Sequence, residues 1–173
     1  MNSLIQTCSQ TRYLIVFGAL VICFNVLLAR YMPEEHALDL QFAYSPTQAY
    51  DSLAQMEESE RNQYSWAVTV FDMPYLLAYG LFFSGILYRL SRKNQSWLIP
   101  FAVAFFDLLE NISILLLLRA FPEKSTWVAL LASFSSTSKW IFVLILFSMI
   151  GLGLFNRLFK RQKPMGKAIK AKI

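Results

Sequence analysis

The stretch from Pro100 to Leu118 constrains this chain more than any other. It has the length and apolarity of a membrane-spanning helix, yet it carries Asp107, Glu110 and Asn111 near its middle. On a helix, positions i, i+3 and i+4 share one face, so two acids and an amide point the same way. An ionisable group in hydrocarbon is costly unless it is paired, neutralised or wetted. A chain built around such a helix therefore needs a polar interior inside a membrane.

The rest of the sequence agrees. Apolar residues make up 56% of the 173 positions and charged residues 16%, where soluble domains carry about 25% charged. This argues against an ordinary soluble domain. It predicts a single all-α domain over 1–173, a four-helix transmembrane bundle with spans at about 12–30, 66–88, 97–118 and 126–155. The first span carries Gly18 and Asn25 on one face, which suits a helix–helix contact. A cleaved signal peptide is its rival reading, but no A-x-A-like site follows the run. Cys8 and Cys23 show neither a disulfide framework nor metal-ligand spacing.

Between the first two spans lies an acidic loop, residues 31–65. Ser45-Pro46-Thr47-Gln48 reads as a helix start, with a Ser cap, Pro in the first turn and Gln placed for a capping box. The stripe of Ala49, Tyr50, Leu53 and Met56 then predicts a short amphipathic helix of about four turns, lying on the membrane or capping the bundle. In the second span, Pro74 should bend the helix, and Asp72, Tyr75, Tyr79 and Phe83 share a face. In the fourth, Ser135, Ser136 and Lys139 share one.

The cations are unevenly placed. Arg12, Arg89, Arg92, Lys93 and the tail from Arg157 to Lys172 fall on one side of a four-span topology; Arg30, Arg61, Arg119 and Lys124 fall on the other. The positive-inside rule then puts both termini in the cytoplasm and the acidic loop outside, in a bacterial inner membrane. The basic tail (156–173) suits anionic lipid headgroups, not nucleic acid. A homo-oligomer is a further partner reading.

Measured along each span at about 1.5 Å per residue, the polar groups of three helices fall within one slab, in the outer half of the membrane or at its midplane. Turned inward together, they predict a buried polar pocket formed by Asp72, Tyr75, Tyr79, Asp107, Glu110, Asn111, Ser135, Ser136 and Lys139. Three acids face one lysine, so some carboxyls stay protonated, or water or a cationic ligand enters. Lys139 is expected to pair with Asp107, its nearest acid in depth, leaving Glu110 to take up a proton. Each feature also has a plainer reading. Lys139 with Asp107 is then an ion pair fixing helix register, Glu110 with Asn111 an interhelical hydrogen bond, and the serines small-residue packing. Asp72 is then solvated from the nearby surface, and the two tyrosines are core aromatics.

No catalytic signature is present: no G-x-S-x-G, no H-E-x-x-H, no phosphate-binding glycine loop and no paired His or Cys ligands. No cofactor and no metal are expected. The leading expectation is a non-catalytic binder of a small or lipid-like ligand. The alternatives are a proton- or ion-coupled conduit, a lipid-modifying enzyme using Glu110 as general acid–base, and a structural subunit of a membrane complex.

The helix Asp107-Leu108-Leu109-Glu110-Asn111 resembles the D-x-x-E-N helix of small bacterial four-span membrane proteins. The loop from Tyr44-Ser45-Pro46 to Arg61 and Tyr64, then Asp72, Pro74 and Lys139-Trp140, fit the same group. That resemblance implies four spans and no activity. The four-span size is also similar to the emopamil-binding and sigma-2 receptor group, whose motifs this chain does not match, so no residue role follows from it.

Overall fold

The computed structural model describes residues 2–33, 35–90 and 95–161. Among them, four helices are long and apolar enough to cross a membrane: Thr11–Tyr31, Glu58–Leu90, Gln95–Ala120 and Thr126–Leu158. The protein is an all-α helical bundle and an integral membrane protein. In chain order the helices are α1 (Asn2–Cys8), α2 (Thr11–Tyr31), α3 (Pro46–Gln55), α4 (Glu58–Ala67), α5 (Met73–Leu90), α6 (Ile99–Ala120) and α7 (Thr126–Arg161). Glu34, Arg92, Lys93, Lys163, Lys167, Lys170 and Lys172, which enter the charge argument above, lie outside the described residues.

Helices α5, α6 and α7 form the core, with α6 and α7 packed along each other as a hairpin. α2 is different. None of its residues is buried, and it leans on α5 while barely meeting α7. Its contact face is the expected one. Gly18 lies against the Phe82 ring, where a Cβ would come within 3.1 Å, and Asn25 reaches Tyr75.

The loop after α2 folds into a cap over one end of the bundle. Ser45 Oγ accepts from the Gln48 N–H at 3.2 Å, and Gln48 Oε1 accepts from the Ser45 N–H at 2.8 Å, closing the expected capping box. α3 is shorter than the sequence suggests, ending at Gln55 after 10 residues. A second box at Glu57 and Glu60 then starts α4, which runs on into the membrane span. The stripe of Ala49, Tyr50, Leu53 and Met56 is buried against Ile114 and Leu117 of α6 and Ala129 and Ala132 of α7. Each such side chain, once buried, stabilises by roughly 1.5–3 kcal/mol for the larger ones, so α3 caps the bundle instead of lying on a membrane surface. The turn between α6 and α7 is tied to the same cap: the Ser125 N–H donates to Tyr50 Oη, and the Arg61 guanidinium sits 4.5 Å over the Phe121 ring.

At the opposite end, α1 packs under α5, where Gly85 leaves room for the Cys8 carbonyl; a Cβ there would approach that oxygen to 2.9 Å. Ser84 Oγ donates to the Trp97 carbonyl at 2.8 Å. Helix α1 and the last turns of α7, where Gly153 lies against Leu90, are therefore away from the cap.

Pro74 acts through a change of helix type. Val68–Asp72 is a π-helical turn, and the Met73 N–H donates to the Val68 carbonyl five residues back. Proline has no N–H, and its ring crowds the carbonyl four residues earlier. The widened turn takes up that mismatch. π turns of this kind often mark functional sites, and this one ends on Asp72, which faces inward and is buried.

Candidate functional site

Lys139 is the centre of the polar cluster. A lysine mid-helix in an apolar bundle needs acceptors for its three N–H bonds, and it has three. Nζ lies 3.3 Å from Asp107 Oδ1, 2.5 Å from Glu110 Oε2 and 3.2 Å from the backbone carbonyl of Asp39. The expected Asp107 pairing is present, but the shorter contact is to Glu110. One turn of α6 presents both acids to the same ammonium, so depth alone did not separate them. Asp107 Oδ2 also accepts from the Tyr79 hydroxyl at 2.9 Å, which fixes that carboxylate between α5 and α7.

Asp39 is the residue that sequence reasoning missed. It was counted among the loop acids, yet it is buried, on a 3₁₀ turn (Leu38–Leu40) that dips into the bundle. Its carboxylate accepts from the Tyr64 hydroxyl at 2.5 Å, and Tyr64 Oη in turn accepts from the Leu38 N–H at 3.0 Å. Burial pushes the Asp39 carboxyl above its usual range, against the opposing pull of Lys139 and the Tyr64 hydrogen bond. The usable signal was the apolar run Ala37-Leu38-Asp39-Leu40 inside an otherwise polar loop.

The hydroxyl-rich stretch of α7 has a specific task. Beyond the 3₁₀ turn, most of the 41–45 stretch has no regular structure, so its backbone groups need other partners as they pass the apolar bundle. Ser136 Oγ donates to the Gln41 carbonyl at 2.5 Å, Thr137 Oγ1 to the Phe42 carbonyl at 2.9 Å, and Ser133 Oγ accepts from the Tyr44 N–H at 3.0 Å. With Lys139 on the Asp39 carbonyl, α7 forms a rail that holds this strap. Ser136 therefore serves the strap. Ser135 Oγ, Glu110 Oε1 and Tyr44 Oη are buried without a protein hydrogen-bond partner, while the Asn111 amide faces Asp72. None of these residues lines the cavity described next. Buried orphan groups of this kind are the usual seats of ordered water.

Between α2 and α7, where the two helices fail to meet, lies a half-open cleft of about 650 Å³. Its walls are mostly apolar: Val21 and Leu28 from α2, Phe83 from α5, and Val143, Leu146 and Phe147 from α7. Its polar end is formed by Asp72, Tyr75, Tyr79, Asp107 and Lys139, roofed by Asp39 and Leu40. Five of the nine residues expected in the pocket thus line one cavity. Glu110, Asn111, Ser135 and Ser136 stand behind it. Tyr75 and Tyr79 meet edge to face, with ring centroids 5.0 Å apart, and Asn25 Nδ2 donates to Tyr75 Oη at 2.8 Å. Among the described residues, no group of His, Cys, Asp and Glu is arranged to hold a metal ion. Compared with known proteins, the chain matches no family model, no curated protein and no solved structure.

Proposed function

We propose that the protein is a non-catalytic binder of a lipid-like molecule, held in the cleft between α2 and α7 with its polar head at the Asp72–Asp107–Lys139 end. One observation carries the reading: an apolar-walled cavity of about 650 Å³ closes on a buried polar cluster and is bounded on one side by α2, none of whose residues is buried. Ligand pockets of about 300–1,000 Å³ combine apolar walls with a few convergent polar groups in this way. A through-path for ions is less well supported. Towards the terminal end the bundle is packed with Leu76, Leu87 and Trp97, and among the described residues the buried polar side chains there are Ser84 and Ser96, with no buried charge.

The test is to plug the cleft. Val21→Trp and Val143→Trp, singly and together, place an indole in the cavity without touching the polar cluster. Native mass spectrometry of the wild-type protein should show a retained lipid-sized adduct, and the double variant should lose most of it. An adduct of unchanged occupancy in the plugged variant would exclude the cleft as the binding site.

The same proposal includes an inner-membrane location with both termini cytoplasmic. It is supported by the excess of cations on the terminal side and by the packing of the acidic loop with the α6–α7 turn at the other end. A reporter fused after residue 173 should be active as a cytoplasmic fluorescent protein and inactive as a periplasmic phosphatase. The reverse pattern would invert the topology.

A further inference from the structure

An inventory of hydrogen-bonding groups at the polar end of the cleft narrows the ligand's head. Apart from the Tyr75 hydroxyl hydrogen and the Trp140 indole N–H, the donors there are already engaged by the protein. Lys139 has its three acceptors in Asp107, Glu110 and the Asp39 carbonyl. Tyr79 gives its hydroxyl hydrogen to Asp107. The Asn25 amide nitrogen donates to the Val21 carbonyl and to Tyr75 Oη, both at 2.8 Å.

The acceptors are not balanced in the same way. Four carboxyls, Asp39, Asp72, Asp107 and Glu110, are buried around one ammonium. Asp39 is met by Tyr64, and Asp107 and Glu110 are met by Lys139. Asp72 lines the cleft, 6% exposed. Among the described residues no cation forms an ion pair with it: its near charges are the acids Asp107 and Asp39 and, less strongly, Lys139, and the Asn111 amide is its neutral partner. The π turn holds it at this position. The rings of Tyr75 and Tyr79 stand beside it, and aromatic faces attract cations.

We infer that the cleft takes a cation-headed amphiphile, a long-chain ammonium whose N–H groups donate to Asp72 while its tail lies along the α2 and α7 walls. An anionic head would add a further negative group to a cluster already rich in acids, and a neutral alcohol would bring no positive charge to it. The inference rests on the cleft reading above and deepens it.

The experiment uses the full-length protein in phosphatidylcholine nanodiscs, with empty nanodiscs as the blank. Four probes are compared by calorimetric titration and melting temperature: dodecylamine, dodecanol, dodecanoate and butylamine. Dodecylamine should bind and raise the melting temperature, with dodecanol and dodecanoate about 30-fold weaker or more. Butylamine, which has the head without the tail, should bind only weakly. Asp72→Asn should lower dodecylamine affinity by about 30-fold and so close most of the gap between dodecylamine and dodecanol.

If dodecanol or dodecanoate matches dodecylamine in the wild-type protein, the cationic head is wrong and the cleft reading survives. That comparison needs no variant, so it stands even where Asp72→Asn does not fold. If no long-chain probe binds at all, both readings fall. If butylamine binds as tightly as dodecylamine, the tail site is excluded.

Discussion

Replacing Lys139 by methionine will lower the stability of the protein by about 3–5 kcal/mol. The change removes the cation from Asp107 and Glu110 together and strips the donor from the Asp39 carbonyl. Methionine fills a similar volume, so little of the loss comes from a cavity. Most comes from two carboxyls left buried without a counter-charge. Neutralising them should therefore restore most of the loss. The triple variant Lys139→Met, Asp107→Asn, Glu110→Gln is expected to unfold close to the wild-type midpoint in a detergent titration. A single Lys139→Met variant within about 0.5 kcal/mol of wild type, the range of ordinary surface substitutions, would mean that the cluster is not an ion-paired centre.

The second large effect is expected at Tyr64. Its ring is fully buried, so Tyr64→Phe keeps the packing and deletes one oxygen. That oxygen accepts from the Leu38 N–H at 3.0 Å and the Asp39 N–H at 3.4 Å, and donates to Asp39 Oδ1 at 2.5 Å. A buried group left unsatisfied costs about 1–3 kcal/mol, so a loss of about 2–4 kcal/mol follows for the set. The loss should be local first. Amide hydrogen exchange across 37–44 should accelerate well before exchange in α6, because the oxygen ties the strap and not the bundle. Unchanged exchange in that segment would show that the strap is held by the α7 rail alone.

Much of this was legible in the sequence because hydrocarbon is an unforgiving solvent. Asp72, Asp107, Glu110 and Lys139 stood out in apolar runs, and the cost of leaving them against lipid turned each one inward. The capping box at Ser45 was equally plain, since its residue types and spacing encode one local geometry. Asp39 was harder to read. In a loop with an acid every few residues, its one sign is the apolar flank of Ala37, Leu38 and Leu40, and only tertiary packing lifts the 3₁₀ turn into the bundle. Pro74 announced a distortion without its form: a bend and a π turn both relieve the same missing N–H. The serines of α7 looked like generic small-residue packing because their partner is an irregular strand 95 positions away, which no periodicity reports.

The exposed position of α2 has a consequence for selectivity. One wall of the cleft is a helix with no buried side chain, while the polar end is built from side chains locked by α5, α6, α7 and the strap. A shift of α2 along α5 would disturb few polar bonds, chiefly Asn25 to Tyr75, whereas any change at Lys139 disturbs several at once. On the proposed binding function, the cleft would be strict about the chemistry at its far end and lenient about chain length and branching near its mouth. Discrimination among natural guests would then come from the first few atoms, with the bilayer itself setting how far the moving wall swings.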